Sequence, residues 1–229
     1  MNQLALPLTL DDHAVFESYL ANGNEELVAY LEALAEDGRG PGCWLWGARA
    51  TGKSHLLQAL AERFGDESAY LPLAVLAEAG SVVLDDLAQR RCVCLDGIEA
   101  IAGRRPFELA LFELCNQLAD RSGILVIAAA APPRESGVEL PDLLSRLTRL
   151  PVFHLQPLNE QGRIEALQLR AAHRGLELPT ETARYLLARH RRDMASLHGL
   201  LDRLDGEALK AQRRLTVPFV RDFLGAGGS

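Results

Sequence analysis

Eight residues in the first quarter of the chain have the types and spacing of a phosphate-binding loop. The stretch from Gly47 to Ser54 reads Gly-Ala-Arg-Ala-Thr-Gly-Lys-Ser and matches the pattern G-x-x-x-x-G-K-[ST]. Backbone N–H groups of such a loop converge on phosphate oxygens, because its glycines let the chain approach closely. The lysine would reach the β- and γ-phosphates of a nucleotide, and the serine hydroxyl would ligate Mg²⁺. We expect the phosphates to be bound by Gly47, Ala50, Thr51, Gly52, Lys53, Ser54 and His55.

The segments on either side of the loop are typical of the elements that position such a site. The apolar run Cys43–Trp46 predicts a buried strand, and Ser54 begins a predicted helix that runs to Gly65. The N-terminus of that helix would face the phosphates. A later apolar run, Cys92–Asp96, predicts a strand that ends in an acid. We interpret Asp96 as the second Mg²⁺ ligand, the alternative being an aspartate that caps the turn before Gly97.

Strands and helices alternate through the first two thirds of the chain. The pattern predicts further strands at 69–73, 123–128 and 152–155, and helices at 25–36, 106–120 and 140–147. In helix 106–120 we expect Leu109, Phe112 and Leu118 on one side. Such alternation predicts an α/β fold with a five-stranded parallel sheet. From Pro157 the pattern is wholly helical, and N-cap candidates at Asn159, Thr180, Asp193 and Thr216 predict a small domain of about four helices.

We therefore divide the chain into an N-terminal peptide (1–10), an α/β domain (11–156), a helical domain (157–224) and a disordered tail (225–229).

No apolar run approaches the ~20 residues of a membrane span, and the start lacks the features of a signal peptide, so we expect a cytoplasmic protein without a membrane partner. Residues 1–156 hold 12 Lys/Arg against 22 Asp/Glu, and this acidic part argues against strong non-specific binding of DNA. The four cysteines are expected to be buried thiols rather than metal ligands.

The first ten residues contain the apolar stretch Gln3-Leu4-Ala5-Leu6-Pro7-Leu8. The pattern alone favours an edge strand or a frayed end. The functional alternative is a linear peptide, whose glutamine would be held by hydrogen bonds and whose leucines would enter an apolar pocket of a partner.

A phosphate-loop α/β domain followed by a small helical lid resembles the AAA+ ATPases. Several segments are similar, in particular, to the Hda family, the regulators of the bacterial replication initiator DnaA; they are Trp44–Gly47, Leu95–Glu99, Leu140–Leu147, Leu155–Leu158 and Leu215–Val220. The resemblance implies a protein that is tethered to the DNA-loaded sliding clamp, the β subunit of DNA polymerase III, and that stimulates hydrolysis of DnaA-bound ATP. Replication initiation would thereby be negatively regulated.

The same resemblance implies roles for particular residues. Arg146 would be an arginine finger that is offered in trans to the ATP on DnaA. The residues Gln3, Leu4, Leu6 and Leu8 would bind the clamp, which reverses the preference drawn from the pattern alone. A homodimer or higher oligomer is implied, with DNA met only through the clamp.

Three positions depart from the pattern of AAA+ ATPases. Gly97 stands where a second acid usually orients the attacking water, Ala130 where a polar sensor is expected, and Ala195 where the lid usually carries an arginine. Binding of ADP or ATP with Mg²⁺ is expected to survive, while intrinsic hydrolysis is expected to be weak. One rival is a self-sufficient AAA+ ATPase of the clamp-loader or remodelling type, against which Gly97, Ala130 and Ala195 argue. Another is a scaffold that needs no nucleotide, against which Lys53 and Ser54 argue.

Overall fold

The structure is a computed structural model, and it describes residues 14–189, 199–201, 203–204 and 215–227. Contacts divide the chain into two units, and of the described residues the first contains 14–16 and Asn24–Leu155. The second contains Glu17–Gly23 and the described residues from Gln156 onwards. The segment Glu17–Gly23, which we expected within the α/β domain, therefore groups with the C-terminal unit.

Five parallel strands form the sheet of the first unit, in the order β2-β3-β4-β1-β5. They are β1 (Gly42–Trp46), β2 (Ser68–Pro72), β3 (Cys92–Asp96), β4 (Ile124–Ala129) and β5 (Val152–His154). The three central strands are buried almost throughout, as expected for a parallel sheet that is covered on both faces. The predicted five-stranded parallel sheet is confirmed, and each strand lies within a residue of its expected bounds.

Helices cover the sheet and supply the rest of the core. They are α1 (Glu25–Asp37), α2 (Lys53–Phe64), α3 (Leu73–Leu76), α4 (Arg105–Asp120) and α5 (Pro141–Leu147), with several short 3-10 turns between them. The expected apolar face of α4 was wrong in one residue, since Leu109 is 48% exposed. The buried stripe is instead Phe107, Leu111, Leu114 and Leu118, whose spacing of four and three residues is that of a single helix face.

The sheet register brings two of the predicted site segments to one edge. Strand β4 lies between β1 and β3, with Trp46 paired to Ala129 and Asp96 paired to Ala128. Because the strands are parallel, their carboxyl ends share an edge, where Asp96 and the loop after Trp46 both lie. The fully buried Trp44 anchors β1 below this edge, and its indole Nε1 donates to the carbonyl of Ala131 at 3.0 Å.

The second unit is helical in the residues that the structure describes. It contains α6 (Glu160–His173), α7 (Thr180–Arg189), helical residues at 199–201 and 203–204, and a C-terminal helix Val217–Gly227. Asn159 caps α6 as expected, since its side chain accepts from the Gly162 amide at 2.8 Å. The buried core of this unit includes Ile164, Leu167, Leu186, Leu201, Leu204 and Val220.

One expectation for the C-terminal part changes. The tail expected to be disordered from 225 is helical through Gly227. Asp193 and Ala195 lie outside the described residues, as do 228 and 229. Within the part of the chain that the structure covers, no helix has the length and apolar character needed to cross a bilayer.

Candidate functional site

The turn from β1 into α2 is built as an anion cradle. Gly47 and Gly52 have φ of 155° and 91°, and Ala50 adopts φ 61°, a left-handed conformation that costs a residue with a Cβ about 1 kcal/mol. A Cβ at Gly47 would meet the Leu155 carbonyl oxygen at 2.8 Å, so only glycine fits there. Gly52 precedes α2 and offers no side-chain cap. The first N–H groups of α2 thus remain available as donors to an anion.

Lys53 is held against this cradle. Its ammonium donates to the carbonyls of Gly47 and Ala48, both at 2.7 Å. Burial lowers the pKa of Lys53, whereas the negative charges of Asp96 and Glu99 raise it. The cation is therefore partly desolvated and lies near two carboxylates, which is the setting in which its charge acts strongly on a phosphate chain.

Two further residues of the loop are fixed by backbone groups. The Thr51 hydroxyl donates to the Ala48 carbonyl at 3.0 Å, which closes the loop on itself. The His55 ring Nε2 lies 2.9 Å from the Val15 carbonyl oxygen. The ring of His55 thus contacts the segment before α1, and its backbone N–H is the group that can donate a hydrogen bond to a phosphate.

Asp96 and Ser54 are the two residues that the sequence predicts as Mg²⁺ ligands. Asp96 ends β3 beside the loop, and Ser54 lies exposed in the first turn of α2. Among the described residues there is no cluster of three or more His, Cys, Asp or Glu that could hold a metal. This donor set fits Mg²⁺ bound mainly by phosphate oxygens and water, with one hydroxyl and one carboxylate from the protein.

Tyr70 is a member of this site that the sequence reasoning missed. Its hydroxyl donates to Asp96 Oδ2 at 2.8 Å. Burial and the Asp96 carboxylate raise the pKa of Tyr70, while hydrogen bonds from Gln58 and Ser54 lower it. In the sequence Tyr70 is one aromatic residue in a short apolar strand; only the pairing of β2 with β3 reveals its neighbour.

The backbone conformation at Gly97 disfavours the second acid that AAA+ ATPases usually carry at this position. This residue has φ 80°, and its amide donates to the Ala128 carbonyl at 3.0 Å. A glutamate there would have to adopt a left-handed conformation that residues with a Cβ avoid. The nearest acid in sequence, Glu99, is the exposed residue of the 3-10 turn Ile98–Ala100 and does not lie on an extended chain.

Arg146 lies apart from the phosphate loop. It is an exposed residue of α5 and lines a cavity of about 460 Å³ with Arg39, Arg149 and Leu150. The cavity also includes the residues just before β1 and β4, so it opens at the amino-terminal ends of the strands, opposite the edge that carries the loop. Within the described ranges, no side-chain hydrogen bond or ion pair is made by the Arg146 guanidinium. The clamp-binding candidates Gln3, Leu4, Leu6 and Leu8 lie outside those ranges.

Cys115 lines the same cavity as Arg146 and is the least buried of the four free cysteines. Burial raises its pKa to about 12, and the positive charge of Arg146 opposes the rise. The other three thiols, Cys43, Cys92 and Cys94, are buried in strands β1 and β3. The cavity therefore combines cationic groups at its rim with a neutral thiol and apolar side chains.

Comparison with known proteins gives a match for the C-terminal part of the chain and similar folds for most of it. Residues 160–224 match the family model described as "Hda, lid domain". In fold the chain is similar to domain III of the replication initiation protein DnaA of Thermotoga maritima, with a TM-score of 0.73, 19% identity, and coverage of 93% of this chain and 96% of that chain.

Two longer proteins share the fold. AMPPCP-bound DnaA from Aquifex aeolicus matches with a TM-score of 0.60 and 21% identity over 76% of this chain, which spans 59% of that chain. The RuvB Holliday junction branch migration motor of Thermotoga maritima matches with a TM-score of 0.61 and 17% identity, covering 91% of this chain and 69% of that chain. The chain therefore has the fold of DnaA domain III, and its residues 160–224 match the lid domain of Hda.

Proposed function

We propose that this protein is a nucleotide-bound regulator of replication initiation, which stimulates hydrolysis of ATP bound to DnaA. The observation that carries the proposal is the position of Arg146. An exposed guanidinium on the opposite edge of the sheet from the chain's own phosphate loop suits action on a nucleotide held by another protein. The Hda-type lid at 160–224 supports DnaA as that protein.

The phosphate loop is proposed to hold ADP or ATP. Its left-handed residues, the uncapped start of α2 and the ammonium of Lys53 together form a site for a phosphate chain. A structure of DnaA with the same fold contains AMPPCP, a nucleotide analogue. When bound, Mg²⁺ would neutralise phosphate charge, held by Ser54 and Asp96 on the protein side.

Arg146 is proposed to act in trans as an arginine finger. Its task would be to neutralise charge that develops on the transferring phosphoryl group, an effect of about 10³–10⁵ in rate for such fingers. Arg39 and Arg149 line the same cavity, so the partner's anionic group would meet a strongly positive surface. Hydrolysis of ATP bound to this protein's own phosphate loop is proposed to be weak, because Gly97 supplies no carboxylate to orient water.

The N-terminal peptide is proposed to tether the protein to the sliding clamp. Gln3 can both donate and accept hydrogen bonds, and burial of about two of the leucines Leu4, Leu6 and Leu8 would contribute roughly 3–6 kcal/mol before ordering costs. That is sufficient for a weak contact. A homodimer would engage two of the clamp's identical pockets and gain effective concentration.

The test is turnover of ATP preloaded on DnaA, with and without DNA-loaded clamp. Arg146→Ala should abolish the stimulation while leaving nucleotide binding intact, since the residue lies away from the phosphate loop. Arg134→Ala is the matched control, because Arg134 is also an exposed arginine of the first unit but lies outside the cavity. Undiminished stimulation by Arg146→Ala would refute the assigned role, and equal loss in both variants would show a general charge effect instead.

A further inference from the structure

We propose that Tyr70 is a positioning residue for the metal side of the nucleotide site. Its hydroxyl fixes the direction of the Asp96 carboxylate, so that the other carboxylate oxygen is presented to the Mg²⁺ of a bound nucleotide. The inference rests on the proposed nucleotide binding and adds a residue that no sequence motif contains.

The register of β2 against β3 brings Tyr70 and Asp96 onto one face of the sheet. Tyr70 is paired with Cys94, and Pro72 is paired with Asp96. Side chains two residues apart in a strand point to the same face, so Asp96 is the diagonal neighbour of Tyr70. A tyrosine is long enough to bridge this diagonal, and the 2.8 Å bond from its hydroxyl to Asp96 Oδ2 shows that it does.

Helix α2 supplies the other two groups around the phenol. Ser54 and Gln58 are four residues apart and therefore share a face of the helix. Hydrogen bonds from both residues lower the pKa of Tyr70, whereas burial and Asp96 raise it. The phenol hydrogen itself is donated to Asp96 at the end of β3.

This direction of hydrogen bonding has a consequence for a cation. The phenol hydrogen is donated to Asp96 Oδ2, so Oδ1 is the carboxylate oxygen left for the cation. Phenylalanine would fill the same space without this hydrogen bond. If Tyr70 only packed between α2 and the sheet, its hydroxyl would not matter to metal binding.

The experiment is calorimetric titration with ADP in Mg²⁺ and in EDTA, comparing wild type with Tyr70→Phe. The measured quantity is the dissociation constant of ADP in EDTA divided by its dissociation constant in Mg²⁺. This ratio reports the coupling between Mg²⁺ and ADP. Loss of a hydrogen bond to a metal-binding group typically weakens metal affinity about 10–100-fold. We expect the ratio to fall about tenfold in Tyr70→Phe, with ADP affinity in EDTA unchanged within about twofold.

Tyr30→Phe is the matched control, since it also removes one phenol hydrogen bond. That bond runs to the Gly42 carbonyl at 2.9 Å, at the start of β1 and away from the phosphate loop. The control should keep the wild-type ratio. A wild-type ratio in Tyr70→Phe, or an equal loss of affinity in Mg²⁺ and EDTA, would overturn the inference. Failure of the wild type to bind ADP at all would instead overturn the proposed nucleotide site and this inference with it.

Discussion

Replacement of Glu108 by alanine should lower the free energy of unfolding of the first unit more than any substitution of an exposed residue on the same helix. The Glu108 side chain is 2% exposed, and its carboxylate accepts three backbone N–H groups. Oε1 accepts from Gly103 at 2.8 Å and from Glu139 at 2.9 Å, and Oε2 accepts from Leu140 at 2.7 Å. These bonds join the turn before α4 to the residues that lead into α5, the helix that carries Arg146.

The magnitude follows from the three bonds. A buried donor that loses its partner costs about 1–3 kcal/mol, and bonds to charged groups lie at the upper end. The Gly103 and Glu139 amides are only partly buried, so water can replace some of what is lost. We expect Glu108→Ala to lower the free energy of unfolding by about 3–4 kcal/mol. Glu108→Gln keeps an oxygen for two of the bonds and should cost about half as much.

Denaturant unfolding followed by tryptophan fluorescence measures this effect, because both tryptophans lie in β1 of the first unit. Glu113→Ala is the control on the same helix. Glu113 is exposed and accepts one bond, from Gln117 at 2.9 Å, so its loss should cost below about 0.5 kcal/mol. A change of less than 1 kcal/mol in Glu108→Ala would refute the reasoning that these bonds hold α5 in place.

Three further predictions concern activity and chemistry. Purified protein should hydrolyse ATP slowly or not at all; robust turnover that Lys53→Ala abolishes would favour the self-sufficient ATPase. Burial raises the pKa of Cys115 to about 12, so its alkylation rate should still rise with pH beyond 10, where an ordinary thiol has reached its plateau. A plateau of the alkylation rate near pH 9 would contradict the raised pKa. Replacing Gln3 and Leu4 with alanine should abolish co-elution with the clamp but leave ADP binding intact, and undiminished co-elution would show that residues 3–8 are not the tether.

The strand, loop and helix around Lys53 could be predicted because their signals are local. The glycine spacing, the apolar run before it and the helical period after it all lie within one stretch of chain. The acid at the end of β3 could be found for the same reason. Local pattern also predicted the five strands to within one residue, since continuous apolar runs bounded by turn residues are typical of a buried parallel sheet.

The residues that escaped prediction act across elements. Tyr70 gains its role from the register of β2 against β3, and Glu108 gains its role from a turn far along the chain. A charged residue in an amphipathic helix is ordinarily solvent-exposed, so nothing local marks Glu108 as buried. Leu109 was placed on the wrong face because several helix faces of α4 contain apolar residues.

Binding of ADP to the purified chain tests the central claim, that the loop from Gly47 to Ser54 is a phosphate site. The chain has two lysines, so Lys53→Ala can be compared with Lys210→Ala. Calorimetry should show one ADP per chain for the wild type and for Lys210→Ala. Binding should be abolished or strongly weakened in Lys53→Ala, with the thermal midpoint of unfolding unchanged. Equal ADP affinity in all three proteins would contradict the account.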